Sequence, residues 1–453
     1  MRTLLPATIF LFLYLFYPGE EKSHKVVKIE SSDFPIKFYH KFYIDQRYQG
    51  KWKLRLFSMN PCVPSNFYLP AKAYSKNQTS MLHLFGRPTE IECPWHWAKS
   101  CYYNSYIFEA EVDVIPERLQ VFLGPVRVIE LTNIGIVTSE KEKKKKTGLT
   151  ICVQPVYFYS ELHNILLFIE AWRSQGATNF IVFYHSATSQ VRKLLQYYQN
   201  LGILRIIPWP RFGDLPPSFR YIYPSLDSSS YRSGHTMAQN LCVLEMDTEF
   251  GAISDFDEIL VTSNRTMTTL QRVCEEFEKN ENLGAVSFAH YFVKFYPKIE
   301  SLEFRGVSRP IFMDKKGPPK LIFRTQDVDV LLTHSINTFI DGRKYAKTLD
   351  SAALLHYRQN AYTELAPEIN LNFTIFPKQS SYSRILRIQR TINKLFKPRP
   401  ILNRGLVKGV KECIHDLVEL KICRSTVWFC EQKMRDLSDD WSFVQTLSDE
   451  IFV

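Results

Sequence analysis

The sequence predicts an α/β protein in which a mostly parallel sheet, flanked by helices, carries carboxylates at the end of one strand. Three observations lead to this prediction. Apolar strand patterns alternate with helical stripes from Leu149 onward, short alternating strands fill residues 25–148, and the motif Asp255-Phe256-Asp257-Glu258 interrupts an apolar run. The chain has 453 residues, which is enough for two or three domains.

These patterns divide the chain into four parts. Residues 1–24 form an apolar terminal segment, and residues 25–148 a β-rich accessory region that ends in a Lys-rich linker. Residues 149–375 form the α/β domain, and residues 376–453 a helical region. Within the last part, apolar and basic residues alternate over 384–399, which indicates an amphipathic helix that packs on the α/β domain or contacts a membrane surface.

The α/β domain shows strand and helix signals in strict alternation. In chain order the predicted elements are strand Leu149–Pro155, a helix ending near Gly176, strand Asn179–Tyr184, a helix ending near Gly202, strand Ile203–Ile207, a Pro-rich aromatic loop over 208–224, a helix around Leu241, strand Gly251–Leu260, a helix around Val273 and strand Gly284–Phe288. This order predicts parallel strands, and ligands bind such sheets at the carboxyl ends of the strands.

Residues 1–24 resemble a secretory-pathway segment. Arg2 precedes an uncharged apolar run over Leu4–Tyr17, and no small-x-small cleavage site follows this run. An uncleaved signal-anchor is favoured over a cleaved signal peptide, and both direct the rest of the chain into the secretory pathway. Three N-x-S/T sequons, at Asn77, Asn264 and Asn372, agree with a lumenal chain.

The nine cysteines include no C-x-x-C pair, which argues against a zinc ribbon or a thioredoxin-like motif. Two sets are close enough in sequence to hold disulfides in an oxidising lumen, and their pairing stays open: Cys62, Cys93 and Cys101, and Cys413, Cys423 and Cys430. Three further cysteines fall within strand or helix patterns and are predicted to be buried free thiols: Cys152, Cys242 and Cys274.

The net charge of +11 predicts attraction to anions such as phosphates. Much of the excess lies in the run Lys141–Lys146 and in the stretch Arg384–Arg404. Neither stretch carries regularly spaced aromatic residues, and the chain has no zinc-finger or RNP-like pattern. Nucleic acid is therefore excluded as the expected partner.

The carboxylates of the Asp255–Glu258 motif need a cationic partner, because desolvating an unpaired charge costs several kcal/mol. If Gly251–Leu260 is one strand, alternation places Asp255 and Asp257 on the same side, where they make a half-site for Mg²⁺ or Mn²⁺. The Glu258 side chain then points to the opposite face of the strand, where we expect it to pair with a nearby cation. In a chain that is directed into the secretory pathway, this arrangement suggests an enzyme that uses a nucleotide sugar. A divalent ion would assist the departure of the nucleoside diphosphate from the sugar.

The stretch from Leu149 to Arg358 resembles glycosyltransferase family 92. The pieces that carry the resemblance are Cys152-Val-Gln-Pro155, Trp172-Arg-Ser-Gln-Gly-Ala177, Asn240-Leu-Cys242, Lys320-Leu-Ile-Phe-Arg324, His334 and His356-Tyr357-Arg358. The resemblance implies a GT-A-like fold, a single-pass type II Golgi enzyme, a UDP-sugar donor with UDP-galactose favoured, a glycan acceptor, Mn²⁺ dependence and inversion at the anomeric carbon. Leu241 departs from the family, which usually has an acidic residue at this position.

Carried onto this sequence, the resemblance makes Asp257 the direct metal ligand. It places Asp255 at the nucleotide ribose or at the ion, and it makes His356 a further metal ligand, with a hydrogen-bonded core histidine as the alternative. Arg358 is suited to a bidentate contact with the donor diphosphate, or else it is a surface cation. His334 is expected to be structural or to face the acceptor.

An inverting reaction also needs a general base, and the sequence does not distinguish among Asp314, Asp327 and Asp329. Two other functions stay open at this point. One is a non-catalytic lumenal or secreted carbohydrate-binding protein on a degenerate transferase fold, and the other is a membrane-anchored adaptor.

Overall fold

A computed structural model describes residues 35–62, 67–90, 93, 98, 100–125, 127–138, 146–295, 310–342, 344–357, 366–377, 383, 386, 389–390, 393–397 and 403–453. The predicted terminal segment 1–24, Arg358 and most of the basic segment 384–399 lie outside these residues. Within the described ranges, every helix is too short or too polar to cross a bilayer.

The N-terminal region is rich in strands, as the sequence predicts. Its strands are β1 (Lys37–Phe38), β2 (Lys41–Asp45), β3 (Trp52–Pro61), β4 (Phe67–Tyr74), β5 (Thr79–Pro88), β6 (Tyr103–Val112), β7 (Arg118–Leu123), β8 (Arg127–Leu131) and β9 (Asn133–Val137). They form one sheet in the order β8-β7-β4-β5-β6-β3-β2-β9, and β1 pairs with β3. Strand β4 alternates buried and exposed residues, because one face of the sheet covers an apolar core.

The region that follows contains the strand–helix alternation, a second large sheet and strands outside it. Its elements are β10 (Lys146–Val156), α1 (Leu162–Ser174), β11 (Ala177–Tyr184), β12 (Ser186–Thr188), α2 (Ser189–Asn200), β13 (Leu204–Pro208), α3 (Leu226–Ser229), α4 (His235–Glu245), β14 (Thr248–Ile253), β15 (Glu258–Thr262), α5 (Thr269–Lys279), β16 (Leu283–Phe295), β17 (Pro310–Arg324), β18 (Val328–Leu331), β19 (Ile336–Phe339), β20 (Tyr345–His356) and β21 (Glu368–Ile369). Strands β18 and β19 pair with each other, and β12 pairs with β22 (Trp441–Phe443). The main sheet has the order β13-β11-β10-β14-β17-β16-β20-β15.

This sheet is mixed, so the predicted mostly parallel sheet is correct for one half only. Strands β13, β11, β10 and β14 run parallel, joined through helices. Beyond them β17 is antiparallel to both β14 and β16, and β15 is antiparallel to β20. The apolar pattern of a buried strand is the same for both directions, which is why the sequence did not reveal the change.

The prediction of one strand over Gly251–Leu260 was wrong. Strand β14, an interior strand of the sheet, ends at Ile253. Strand β15 begins at Glu258, forms one edge of the same sheet and pairs there with β20. The carboxylate motif therefore occupies a turn. The Glu258 carboxylate accepts a hydrogen bond from the Asp255 amide, and Ser254 Oγ donates to the Glu258 carbonyl. Local bonds of this kind between side chains and backbone favour a turn over a continuous strand.

A C-terminal cap packs against both sheets. It consists of α6 (Arg404–Glu419), α7 (Thr426–Phe429), α8 (Glu431–Leu437), β22 (Trp441–Phe443) and α9 (Ser448–Ile451). The backbones of Phe38 and Val453 exchange hydrogen bonds of 2.8 and 2.9 Å, and Phe452 is fully buried against Trp209. The last residues of the chain are thus part of the core between the two sheets.

Four disulfides cross-link the described chain. Two lie within the sets recognised in the sequence, Cys62–Cys93 and Cys413–Cys430, and one joins the two sets, Cys101–Cys423. The prediction of free thiols at Cys152 and Cys242 was wrong, because α4 packs across β10 and brings their Cα atoms to 6.4 Å. Cys274 has a free, half-buried thiol.

A buried ion network joins the accessory sheet to the β18–β19 pair of the following domain. Arg55 on β3 bonds Asp45 at 3.2 Å, Glu109 at 2.9 Å and Asp329 on β18 at 2.8 Å. Burial opposes ionisation of Asp329, but Arg55 and Arg87 offset this effect and hold the pKa of Asp329 below its usual range. The stability from this carboxylate is therefore present above about pH 4 and is lost as the pH falls further.

The substitution Arg55→Met should lower the free energy of unfolding by about 3 kcal/mol, because it removes the buried cation that three largely buried carboxylates share, although Arg47 still pairs with Asp45, and Arg87 with Glu109 and Asp329. Urea unfolding would measure the change. The exposed pair Lys51–Glu111 provides the control, since Lys51→Met should cost only about 0–1 kcal/mol. Equal shifts for the two variants would contradict the assigned role of Arg55.

Candidate active site

The turn between β14 and β15 is folded around the carboxylate of Glu258. Its Oε2 accepts hydrogen bonds from the Asp255 amide at 3.0 Å and from Ser254 Oγ at 3.2 Å, and the Glu258 amide donates to the Asp255 carbonyl at 3.0 Å. Glu258 is buried, whereas the side chains of Asp255 and Asp257 are 40% and 25% exposed. The turn therefore buries one carboxylate and leaves the other two open.

Lys320, on β17, is the cation that makes this burial possible. Its ammonium lies 3.3 Å from Glu258 Oε2 and 4.0 Å from Asp255 Oδ2, and its side chain is only 4% exposed. Burial lowers the pKa of Lys320, but the Glu258 and Asp255 carboxylates more than offset this effect and raise it above its ordinary value. The sequence predicted that Glu258 pairs with a nearby cation, and that cation is Lys320.

His356 stands beside Asp257 because β20 pairs with β15 in a register that places His356 opposite Glu258. Its Nε2 donates to Asp257 Oδ2 at 3.1 Å, and its ring stacks on His290 and Phe292 with centroids at 5.1 and 5.0 Å. Burial lowers the pKa of His356, but the Asp257 carboxylate and its hydrogen bond reverse this effect and raise it. The structure thus joins two of the predicted metal ligands.

Two groups of side chains have the composition of a metal site. The ligand atoms of Glu258, His290 and His356 lie within 4.8 Å of one another, but the Lys320 ammonium already bonds Glu258 and would repel a second cation there. Asp257 and His356, which are 3.1 Å apart, offer one oxygen and one nitrogen ligand of the kind that Mn²⁺ accepts, and Asp255 lies on the same turn, 4.0 Å from the Lys320 ammonium. Asp255 and Asp257 are more exposed than Glu258 and His290, so an ion would reach the outer group more easily.

Asp255 and Asp257 open into a cavity of about 760 Å³. On one side it is lined by the segment Val153–Glu161, which comprises the carboxyl end of β10 and the residues after it, and by the first residues of α1. Tyr357 lies at its base and donates to the Phe256 carbonyl at 2.5 Å. The opposite side belongs to the C-terminal cap. The cavity therefore lies where parallel strands end, the usual ligand position in such sheets.

Arg232 is a site residue that the sequence did not single out. It lines the cavity, and although burial lowers its pKa, the nearby groups Tyr231, Tyr157, Asp255 and Asp257 more than offset this effect and raise it above its ordinary value. Its backbone has a φ of 43° and a ψ of 46°, a conformation that is costly for a residue with a side chain and that tends to cluster at functional sites. Gly234 before helix α4, with a φ of 76°, is the one local signal of this turn.

The remaining predicted residues lie elsewhere. His334 bonds the Pro319 carbonyl at 3.2 Å, outside the cavity lining. None of the three candidate bases lines the cavity either: Asp314, Asp327 and Asp329. Within the described part of the chain, the carboxylates that line it are Glu161, Asp255, Asp257 and Glu412. In the aromatic loop, Trp209 is buried in the core and Tyr221 is 98% exposed, and neither lines the cavity.

Together, the mixed α/β sheet, the carboxylates at its strand ends and the large cavity define an α/β protein with a candidate ligand site at the carboxyl ends of its parallel strands. The model of glycosyltransferase family 92 matches residues 147–396, more than half of the chain. The protein therefore belongs to glycosyltransferase family 92.

Two other comparisons complete this result. A crystal structure of S. aureus TarS, residues 1–349, is similar with a TM-score of 0.25 and 11% identity. The similarity covers 54% of this chain and 65% of TarS, so this chain spans less than two thirds of that protein. A search of curated proteins finds no match.

The variant Lys320→Met should unfold at a markedly lower temperature, because Glu258 would stay buried without a cation, a loss worth about 3–5 kcal/mol. The double variant Lys320→Met/Glu258→Gln removes both charges and should recover part of the loss. Calorimetric unfolding of the two variants measures this coupling. A double variant no more stable than Lys320→Met would contradict the pairing.

Proposed function

We propose that this glycosyltransferase is a divalent-metal-dependent, inverting enzyme of GT-A-like fold that transfers a hexose from a UDP-sugar to a glycan acceptor. UDP-galactose is the favoured donor. The single observation that carries the proposal is the Asp257–His356 pair, 3.1 Å apart beside the large cavity at the ends of the parallel strands. Asp255 on the same turn completes the set of ligands.

The site residues have separate roles in this proposal. Asp257 and His356 would hold the ion, and Asp255 would contact the ion or the ribose. A divalent ion bound there compensates the charge that develops on the leaving diphosphate. Glu258 and Lys320 keep the turn in place, so that Asp255 and Asp257 do not need to reorganise when the donor binds. Arg358, next to Tyr357 in the sequence, stays a candidate for the diphosphate.

The proposal includes a location in the secretory pathway, with residues 1–24 as a type II signal-anchor and the enzyme in the Golgi lumen. Two features support it. The apolar run over Leu4–Tyr17 follows a positively charged residue, and four disulfides, such as Cys101–Cys423, form readily in an oxidising compartment. The membrane is therefore the proposed partner of the terminal segment.

Transfer from UDP-galactose to a panel of glycans by the full chain should require Mn²⁺ and should stop with a chelator. Asp257→Asn and His356→Gln should each lower kcat/KM by about 10²-fold or more, because each removes a proposed ligand. UDP-glucose and UDP-N-acetylglucosamine, assayed in parallel, test the preference for galactose.

Asp247→Asn is the matched control for Asp257→Asn. Asp247 is an exposed aspartate immediately before the amino end of β14, the strand whose carboxyl end leads into the turn. The control should keep wild-type activity. Full activity of Asp257→Asn, or turnover that resists chelation, would refute the metal site. Glycan binding without UDP or Mn²⁺ binding would instead identify a non-catalytic carbohydrate-binding protein.

A further inference from the structure

We propose that the C-terminal cap, which lies beyond the family-92 segment, forms one wall of the cavity and, together with Arg232, which it holds in place, binds the donor's diphosphate. The proposal rests on the proposed function, since it assigns a subsite of the same cavity. The family match ends at residue 396, whereas α6 begins at Arg404. The matched segment therefore forms only part of the cavity, and the cap closes the remainder.

Helix α6 lines the cavity with a row of three cations, beside which Val407, Val410, Glu412 and Ile414 also line it. Arg404, Lys408 and Lys411 follow one another at spacings of four and three, which places them on one side of the helix, and all three line the cavity. The opposite side of α6 carries the residues that are buried, such as Leu406, Cys413 and Leu417. The sequence pattern thus separates a packing face from a cationic face.

Packing fixes this basic face across the cavity from the end of β10. Phe158, which follows β10, is buried in a small apolar cluster with Cys413, Leu417 and Met434 of the cap. The Cys413–Cys430 disulfide ties α6 to the start of α8 within that cluster. The helix that brings the cations is therefore anchored to the same segment that lines the other side of the cavity.

The cap also fixes Arg232. The Arg232 amide donates to the Arg424 carbonyl at 3.1 Å, and Tyr231 packs on the Cys101–Cys423 disulfide. On the other side, Trp209 Nε1 donates to the Ser233 carbonyl at 2.8 Å. These contacts hold the costly left-handed backbone at Arg232, and Arg424 itself lines the cavity beside it.

The charges around the cavity point to a phosphorylated ligand. Among the described residues, five Arg and Lys side chains line it: Arg232, Arg404, Lys408, Lys411 and Arg424. Of the four carboxylates in the same lining, Asp255 and Asp257 belong to the proposed metal site, Glu412 is 3.5 Å from Lys408, and Glu161 lies immediately before α1. A ligand with two linked phosphates matches this distribution, because one part can face the ion site and the rest can face the cations.

Titration of the full chain with inorganic pyrophosphate, in buffer stripped of divalent ions, tests the cationic wall without the metal. Arg232→Gln should weaken binding about ten- to a hundredfold, because it removes a charge-assisted contact, and Lys411→Gln should weaken it about three- to tenfold. UDP binding should fall by similar factors, whereas uridine, which carries no phosphate, should bind the variants like the wild type.

Lys421→Gln is the matched control, because Lys421 is an exposed lysine after α6 that does not line the cavity. It should bind pyrophosphate like the wild type. Arg232→Lys, which keeps the charge, should recover part of the affinity lost in Arg232→Gln. Equal pyrophosphate affinity of Arg232→Gln and Lys421→Gln would overturn the proposal.

The Cys101→Ser/Cys423→Ser variant tests the positioning of Arg232. It should lose pyrophosphate affinity, and combining it with Arg232→Gln should cause little further loss, because both changes act on one contact. Fully additive losses would refute the link between the disulfide and Arg232.

The two proposals can fail separately. If the wild type binds pyrophosphate as described but transfers no sugar, the assignment of the cationic wall is retained and the proposed function is refuted. If transfer depends on Mn²⁺ but the variants bind pyrophosphate like the wild type, only the assignment of the cationic wall is refuted.

Discussion

The buried ion pair between Lys320 and Glu258 is the interaction on which the rest of the site depends. Burial raises the pKa of Glu258, and a carboxylate buried under the ends of the central strands stays charged at neutral pH because the Lys320 cation is buried with it. Once paired, Glu258 bonds the backbone of its own turn, and this leaves Asp255 and Asp257 facing outward into the cavity. The fixed turn explains how two aspartates can stay close together before any ligand binds.

The cavity is assembled from three parts of the chain. The α/β domain contributes the carboxylates and the segment after β10, the accessory sheet reaches the cap through the Cys101–Cys423 disulfide, and the cap contributes α6. A core shared between both sheets, which includes Tyr39 and Phe452, holds these parts against one another. The accessory sheet is thus more than a spacer, because its contacts determine where the cap lies.

The sequence predicted local features well and long-range ones unevenly. The helix α1 and the strands β10, β11 and β13 lie where periodicity placed them, because burial of one face leaves a regular pattern. The proximity of Asp257 and His356 was also expected, though from the family resemblance. The turn at 254–257 was not predicted, because an apolar run that contains three carboxylates has the pattern of a single strand. The Cys152–Cys242 disulfide was not predicted either, because its two residues come together only when α4 packs on β10.

The sequence by itself determined which residue types the site would contain, because carboxylates after an apolar strand need a cation wherever they lie. The tertiary structure decided which cations serve them. Lys320 reaches Glu258 because β17 runs antiparallel beside β14, and Arg232 faces the cavity because the cap holds its backbone in a left-handed turn. The reason is physical: periodicity records which face of an element is buried, whereas strand order and pairing direction depend on how all the buried faces pack together.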